Sequence, residues 1–467
     1  MNNLIKNEIT KILKKKSFYI ILIIILAYII LANVMTKYVY SLINYNNYFS
    51  DSYIEFIKED MKNLNLDNPD ELDEYVSYKT DIDTYELLKN YDENSWQYSI
   101  IIEQGTNYIA QINQYTYKDK NDSALKSAKS DYDKFIKRLD SNDWKVFATE
   151  ELESLKQTQD ILDDKVTNAQ IETLQMRLDY DIPYGNNYKN DALSKYLNSK
   201  TQIVELENKS NKTYEEKQNY EKAKEDLAQS KYVIENDKDI FNDSNARGML
   251  LNVFSKYELF IIITIVLIGG AIVSDEFNKG TIKLLLVRPY NRKKILLAKF
   301  ITVLITTLFI CITICVLQFI VGSIFFGFDS LKIPAIEYNH HTGKLIEMSI
   351  FKNIVLTGIG KLPIYVLLGT LAFALSTLFN NTAVAIAVTL LGYMASDIIN
   401  SFAYYYNIKW LKYFVTPNWD FTQFLYGNLP NIEGLSILFS TVICLIYFAI
   451  MIITSFIVFN KRNIKNV

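Results

Sequence analysis

The sequence predicts an all-α, polytopic membrane protein with six transmembrane helices and a large helical extracellular domain between helices 1 and 2. It contains six apolar runs, each near the length of about 20 residues that a helix needs to cross a bilayer. It also contains a long hydrophilic stretch, residues 37–255, with 27 Lys and Arg against 42 Asp and Glu, a net charge of −15. The remainder, which holds the apolar runs, carries 22 against 10 and is therefore basic.

The apolar runs are expected to be helices because backbone polar groups in lipid must be satisfied within the segment. The first run follows KILKKKS, the order found in a signal peptide. Its apolar part is longer than a usual signal core and no small-x-small cleavage site follows, so an uncleaved anchor is expected. The six runs cover residues 18–36, 257–273, 295–326, 354–379, 382–399 and 435–459.

Basic residues collect in three places, and this predicts the orientation of the chain. The first 16 residues contain five Lys and one Glu, residues 274–300 contain seven basic residues, and the C-terminal tail has Lys461, Arg462 and Lys465. Six spans place all three clusters on the cytoplasmic side. The sequence therefore predicts a multi-pass protein of the cell membrane, with both termini in the cytoplasm and residues 37–255 outside the cell.

Residues 1–17 are predicted to form an amphipathic helix that lies in the headgroup region. An apolar stripe follows helical spacing, and three lysines are expected to lie away from it. The alternative is a basic tail that only obeys the charge rule. The stripe consists of Ile5, Ile9, Ile12 and Leu13, and the lysines are Lys6, Lys11 and Lys14.

The stretch SDEFNKGTIKLLLVRPYNRKKILLAKF connects the second and third runs. Gly280 is expected to end the second span because glycine tolerates the left-handed conformation found after a helix. Thr281 can cap a new helix, and Pro289 disfavours its continuation, which leaves about seven residues or roughly 10 Å. Asn291 can then cap the third span. The cytoplasmic segment 275–294 is therefore predicted to present a short docking helix; the alternative is a solvated basic loop.

The domain at 37–255 is helical by pattern. ELESLKQTQDILDDKVTNAQ has apolar residues near heptad spacing, and two further helical stretches flank NKSNK, which predicts an antiparallel helix pair. All three cysteines lie in predicted spans, so the domain has no disulfide, as suits an organism such as a Gram-positive bacterium that does not rely on them outside the membrane. Its many tyrosines are expected to be ordinary core and surface residues, and nothing in the sequence identifies a ligand.

The connecting stretch resembles the first cytoplasmic loop of bacterial ABC transporter permeases of the type 2 membrane family. STLFNNTAVAIAV, between the fourth and fifth runs, and VFNKRNI near the end support this resemblance, which covers the membrane core, about half of the chain, but not residues 37–255. In that family the loop is a coupling helix that docks on a separate ATP-binding subunit. The positions that carry over are Glu276, Gly280, Thr281, Arg288, Pro289 and Arg292.

The resemblance implies the permease subunit of an ATP-driven exporter that works as a dimer, with a second copy or a homologous permease, in membrane lipid. The expected cargo is a peptide, an antibiotic or a lipid-like molecule. The sequence contains no phosphate-binding G-x-x-x-x-G-K-[ST] loop, so the chain is not expected to be an enzyme, and ATP and Mg²⁺ are assigned to the partner subunit. No directly bound cofactor and no nucleic-acid partner are expected.

Two other classes stay open. A four-span mechanotransmission permease also carries a large outer domain, although six spans count against it. A sensor or immunity protein would bind a peptide antibiotic through the outer domain without ATP-dependent translocation.

Two charged residues within apolar runs are candidates for a transport path because such charges mark functional sites by default. Lys361 and Asp397 both lie nearer the outer ends of their runs, where Lys361 can also snorkel to water. Cys311 and Cys315 are expected to serve packing. The adjacent His340 and His341 rarely chelate together, so no metal site is predicted.

Overall fold

The computed structural model describes residues 1–39, 49–162, 164–282, 290–406 and 408–462, apart from the side chains of residues 39 and 160–162. Two compact units divide the chain. The first, here called the membrane unit, comprises Met1–Tyr38, Thr213–Glu221 and Ile240–Val467. The second, here called the helical unit, comprises Val39–Lys212 and Lys222–Asp239.

The protein is mostly helical, with little sheet. The helices are α1 (Asn2–Leu13), α2 (Lys16–Val34), α3 (Asp51–Asp60), α4 (Pro69–Leu88), α5 (Trp96–Ile100), α6 (Thr106–Asn113), α7 (Asp122–Asp140), α8 (Lys145–Leu162), α9 (Lys165–Asp179), α10 (Tyr188–Glu207), α11 (Tyr214–Asn236), α12 (Ala246–Leu251), α13 (Val253–Lys256), α14 (Glu258–Asn278), α15 (Arg292–Phe326), α16 (Ile350–Phe379), α17 (Thr382–Tyr405) and α18 (Ile437–Lys461). Short π-helical segments continue α2, α5 and α6 at Met35–Val39, Ile101–Gly105 and Gln114–Lys118. Short 3-10 turns lie at Met61–Asn63, Ser330–Lys332, Lys409–Tyr413, Thr416–Asn418 and Phe421–Gly427.

Six of these helices are long and apolar enough to cross a membrane, and they coincide with the six apolar runs predicted to be helices. They are α2 with its π-helical extension, α14, α15, α16, α17 and α18. Helix α14 continues beyond the apolar run, which ends at residue 273, to Asn278, as expected from the helix stop predicted at Gly280, and Asp275 and Glu276 find cationic partners there. Helix α16 begins at Ile350 rather than at residue 354, because the Ser349 hydroxyl caps it by accepting a hydrogen bond from the backbone N–H of Lys352.

The two most buried membrane helices, α14 and α16, pack closely through glycines. A Cβ atom on Gly269 would lie 2.9 Å from the carbonyl oxygen of Gly369, and one on Gly369 would lie 2.9 Å from Cγ2 of Ile265. Small residues allow membrane helices to approach each other, since lipid gives no hydrophobic drive between them. This contact joins α14 and α16 along their middle turns.

Cys311 and Cys315 lie on α15, where they line an apolar cleft of about 600 Å³ between α15 and α16. Sequence reasoning missed a β-hairpin before α16. Strands β1 (Ala335–Asn339) and β2 (Lys344–Met348) are antiparallel, and Gly343 takes a positive φ of 65° in the turn between them. Five-residue strands beside a long apolar run leave little periodic signal.

The helical unit has its own apolar core, which explains why it is compact. Helices α10 and α11 run antiparallel, as predicted. Lys195 pairs with Asp226 (3.0 Å), and Lys189, near the start of α10, pairs with Asp237 (2.7 Å), just after the end of α11. The buried core residues are Phe49, Ile54, Ile57, Leu88, Ile100, Ile101, Phe135, Leu139, Trp144, Phe147, Ala148, Leu152, Leu174 and Tyr184.

Candidate functional site

The end of α14 forms the entrance to the predicted coupling loop. The helix ends at Asn278, and Gly280 has a positive φ of 66° and donates its N–H to the carbonyl of Phe277 (3.0 Å), which confirms it as the helix stop. The Thr281 hydroxyl donates to the carboxylate of Glu276. The helix predicted to follow, together with the candidate residues Arg288 and Pro289, lies outside the described residues.

A buried lysine joins the two helices that flank this loop. Lys299 of α15 is only 1% exposed, and its ammonium lies 2.7 Å from Oε2 of Glu8, 3.3 Å from Oε1 of Glu276 and 3.0 Å from the carbonyl oxygen of Ile272. A lysine ammonium has three N–H donors, so its hydrogen-bonding capacity is filled. Glu276 therefore has partners within its own chain, although the sequence suggested that it would face another protein.

The N-terminal helix α1 belongs to the same group of charges. Nζ of Lys11 lies 2.7 Å from Oε1 of Glu276 and 3.0 Å from Oε1 of Glu8. Burial alone lowers the pKa of Lys11, but the hydrogen bonds and negative charges of Glu276 and Glu8 outweigh it and raise that pKa. We refer to Glu8, Lys11, Glu276 and Lys299 as the ion network.

The ion network corrects the predicted orientation of α1. Lys11 was expected to lie away from the apolar stripe, and Leu13 was expected on it. In the structure the buried residues of α1 are Leu4, Glu8 and Ile12, whereas Leu13 is 42% exposed. The helix is rotated so that Glu8 and Lys11 reach α14 and α15. The sequence did contain a signal for this orientation, because Glu8 is a single acid among five lysines and lies one helical turn before Ile12.

Asp275 makes the neighbouring contacts at the end of α14. Its Oδ2 lies 2.7 Å from Nζ of Lys15 and 3.9 Å from Nζ of Lys279, and its Oδ1 accepts a hydrogen bond from the hydroxyl of Thr382 (3.4 Å). A cleft of about 500 Å³, lined mostly by charged residues, lies beside these residues and the ion network. The first membrane helix, the loop entrance and the start of α17 are thus connected.

The exit from the loop is held by the C-terminal segment. Asn291 caps α15 by accepting a hydrogen bond from the N–H of Lys293, as predicted. Arg292 donates to the carbonyl oxygens of Arg462 (3.0 Å) and Asn460 (3.3 Å). Sequence reasoning placed Arg292 against a partner subunit, and the structure gives its guanidinium these acceptors within the chain.

Arg462 in turn satisfies the carbonyl groups that the end of α16 leaves unpaired. Its guanidinium donates to the carbonyls of Thr377 and Leu378, both at 2.8 Å, and to the side-chain oxygen of Asn380. It also lies 5.4 Å from the ring centre of Phe277. The three sequence segments that carry the family resemblance, DEFNKG, STLFNN and VFNKR, therefore meet at one end of the membrane unit.

A second group of charges lies at the other end of α14, about 27 Å from Glu276 by the rise of the helix. Nζ of Lys361 is 2.7 Å from Oε2 of Glu258 and 2.8 Å from Oδ2 of Asp420. Lys361 is only 7% exposed, so it is held between two carboxylates and does not snorkel to water. Asp420 is itself fixed by the N–H (3.0 Å) and hydroxyl (2.5 Å) of Thr422.

A glycine on α16 allows this arrangement. A Cβ atom on Gly360 would lie 2.9 Å from Cγ2 and 3.0 Å from the backbone nitrogen of Thr422. The segment that carries Asp420 can therefore approach Lys361 only because position 360 has no side chain.

Lys361 and Asp397, the two candidates for a transport path, line the same cleft of about 470 Å³. We call this cleft the distal cleft. Sequence reasoning missed Glu258 and Asp420, which complete the charge cluster. A search for the partner of the intramembrane Lys361 could have found Glu258, which lies at the edge of an apolar run, but Asp420 follows an irregular segment.

The described residues thus form a mostly helical protein in which six helices are long and apolar enough to cross a membrane, together with a helical unit that has its own core. The chain belongs to the family described as "Protein of unknown function (DUF2705)", whose sequence model matches residues 220–465. It is similar to "Uncharacterized protein YhcI" of Bacillus subtilis (strain 168), with 33% identity over 201 residues. That match covers 43% of this chain and 64% of YhcI.

It is also similar to "Uncharacterized membrane protein YdbK" of the same organism, with 31% identity over 224 residues. That match covers 48% of this chain and 85% of YdbK. No solved structure matches the chain. The six apolar helices and the similarity to a protein named as a membrane protein together indicate a membrane location.

Proposed function

We propose that the chain is the membrane-spanning permease subunit of an ATP-driven ABC exporter. Its cargo would be a peptide, an antibiotic or a lipid-like molecule, and it would act with a second copy or a homologous permease. One observation carries the proposal. The three segments that resemble type 2 ABC permeases are far apart in sequence, yet Phe277, Asn380 and Arg292 all contact the C-terminal segment at Arg462.

The ion network supports a coupling role for the loop between α14 and α15. The loop enters beside Glu276 and leaves through α15, and Lys299 of α15 contacts Glu276 directly. Buried charges are costly to separate, because a partner left alone in a medium of low polarity loses its compensation. Force on the loop therefore moves α1, α14 and α15 together, and the close contact of α14 with α16 extends this motion through the membrane.

In this proposal the loop, α1 and the C-terminal segment face the cytoplasm, and residues 37–255 lie outside the cell. The ATP-binding subunit docks on the loop and holds ATP and Mg²⁺, since the sequence has no phosphate-binding loop of its own. The permease binds no cofactor directly and performs no chemistry.

A second candidate function follows from the size of the helical unit. This unit has its own core and is larger than the loops that usually join two spans. A mechanotransmission or peptide-antibiotic immunity permease would use such a unit to act on a partner or to bind a peptide outside the cell. ATP-dependent movement of substrate across the membrane distinguishes the exporter from both.

The test is to isolate the tagged full-length chain from its own host membrane in mild detergent. We expect an ATP-binding protein with a phosphate-binding loop to co-purify, identified by mass spectrometry, and the complex to hydrolyse ATP. Arg288→Glu should weaken this complex, because losing a desolvated interfacial charge pair costs about 2–5 kcal/mol, or roughly 30-fold or more in affinity.

Lys332→Glu is the matched control. It reverses a basic charge that is 77% exposed and pairs with the exposed Asp329, so it should leave the complex intact. Absence of any ATP-binding protein and of ATP hydrolysis in the isolated wild-type complex would overturn the proposal. Full partner binding by Arg288→Glu would show that the loop is only a basic turn.

A further inference from the structure

The distal cleft combines a charge imbalance with unused hydrogen-bond acceptors. It is lined by three carboxylates, those of Glu258, Asp397 and Asp420, and by one cation, Lys361. Lys361 contacts both Glu258 and Asp420 but offsets only one of their two charges, and Asp397 lies outside these ion pairs. With these four groups ionised the cleft carries a formal charge of −2, which favours a cationic ligand and disfavours an anionic one.

Two further side chains in the cleft offer acceptors. The hydroxyl oxygen of Thr416 and the side-chain oxygen of Asn400 are buried and make no hydrogen bond to any group in the described part of the chain. Thr416 is 9% exposed, and Nδ2 of Asn400 donates to its carbonyl (3.4 Å). A buried polar atom without a partner is costly because it has lost its hydrogen bonds to water, so both atoms favour a ligand that donates hydrogen bonds.

These groups come together because of the helical repeat. Asn400 follows Asp397 by three residues on α17, so the two side chains are neighbours on one face of the helix. Thr416 belongs to the irregular segment after α17, and the hydrogen bond from Asn400 fixes it against that helix. The walls also contain apolar side chains, including Ile364, Trp419 and Ile432.

We propose that the distal cleft binds the primary ammonium group of an organic amine. Such a group carries one positive charge and three N–H donors, which match the Asp397 carboxylate, the Thr416 hydroxyl and the Asn400 oxygen. The apolar walls would take its alkyl part. A metal ion is a poorer match, because no three His, Cys, Asp or Glu side chains within the described ranges are placed to hold one. This inference goes beyond the proposed function, since binding needs no ATP-binding subunit.

The experiment uses the full-length chain in lipid nanodiscs without any partner and measures binding by isothermal titration calorimetry. The probes are n-butylammonium and n-butyltrimethylammonium, which share charge and alkyl chain but differ in their N–H donors. Empty nanodiscs correct for partition into lipid. We expect saturable binding of butylammonium and at least about tenfold weaker binding of the quaternary ion, because three hydrogen bonds are lost.

Three variants locate the site. Asp397→Asn should weaken butylammonium binding at least about tenfold, and Thr416→Val should weaken it by a factor of about three to ten. Asp329→Asn alters a carboxylate that is 96% exposed and distant in sequence from Asp397 and Thr416, and this variant should bind butylammonium like the wild type. Thermal melting of each variant reports folding, and Thr416→Val carries the test if Asp397→Asn does not fold.

Equal affinity for the two probes overturns the proposal, as does unchanged binding by both variants. A folded wild-type chain without saturable binding of butylammonium overturns it as well. Because the ATP-binding subunit takes no part, each of these results leaves the exporter proposal standing. Conversely, loss of that subunit from the complex would not affect the binding result.

Discussion

Lys299 is the residue on which the ion network depends most. Glu8 and Glu276 are both buried and both contact its ammonium. Lys299→Met should lower the free energy of unfolding by about 3–5 kcal/mol, because it leaves two buried carboxylates with reduced compensation. The measurement is the melting temperature in detergent, together with the amount of folded protein in the membrane.

Lys15→Gln provides the comparison. Lys15 pairs with Asp275 at a similar distance, 2.7 Å, but both side chains are partly exposed, so its loss should cost only about 0–1 kcal/mol. Glu276→Gln added to Lys299→Met should recover part of the lost stability by removing one unpaired charge. Equal melting temperatures for the two lysine variants would contradict the role given to Lys299.

At this scale the sequence predicted local roles better than distant ones. Gly280 and Asn291 act through their own backbone neighbours, and both were correctly placed from their positions beside apolar runs. The pairing of Lys299 with Glu8 joins residues 291 positions apart, and no local pattern encodes it. Lys11 was predicted to lie at the surface but belongs to the ion network, and this wrong prediction has the same cause.

The helix α16 shows how one backbone position controls a charge cluster. Gly360→Ala would place a methyl group 2.9–3.0 Å from Thr422 and displace the segment that holds Asp420 against Lys361. Overpacking of this kind costs about 1–3 kcal/mol, so the melting temperature should fall.

Gly392→Ala is a matched substitution on α17. Nothing lies within 4 Å of the Cβ atom it would add, so no atoms must move. Alanine also favours a helix by up to about 1 kcal/mol relative to glycine, and the melting temperature should stay the same or rise slightly. A loss of stability in this variant as large as that in Gly360→Ala would argue against close packing at position 360.

The six long membrane helices could be predicted because their apolar runs are long and their polar boundaries are clear. The elements missed were short or irregular, such as the hairpin before α16 and the segment from Thr416 to Gly427 that brings Asp420 to Lys361. Such segments take their conformation from contacts with neighbouring helices, so their own residues carry little information about it. The distal cleft is lined in part by the irregular segment that carries Asp420, so it could not be predicted from the sequence.

On the scale of the whole molecule, the helical unit should fold without the membrane unit. A soluble fragment of residues 49–243 should give a helical circular dichroism spectrum and a cooperative melt, because it contains the whole core of the unit and its size is that of a typical domain. A random-coil spectrum would show that the unit depends on the membrane unit or on a partner.

The same fragment offers a test of pH dependence. Burial raises the pKa of Glu103 and Glu151, although the nearby Arg177 lowers both. The stability that depends on their protonated forms is therefore fully present below the pKa of glutamate in the unfolded chain. It is lost as pH rises through the raised pKa values in the folded protein. Relative to wild type, the Glu103→Gln, Glu151→Gln double variant should lose less stability between about pH 4.5 and 7. Parallel melting curves for the two proteins across this range would rule out such a contribution.

The contact between Arg462 and the end of α16 has a consequence for how the protein is made. Arg462 leaves the ribosome 85 residues after Thr377, whose carbonyl it finally satisfies. Throughout that interval α16 is already synthesised, but the arginine that donates hydrogen bonds to the carbonyl groups at its end has not yet been translated. A chain whose synthesis stops before Arg462 thus lacks this hydrogen-bond donor for the end of α16. Completion of this contact is therefore tied to α18, the helix that Arg462 follows.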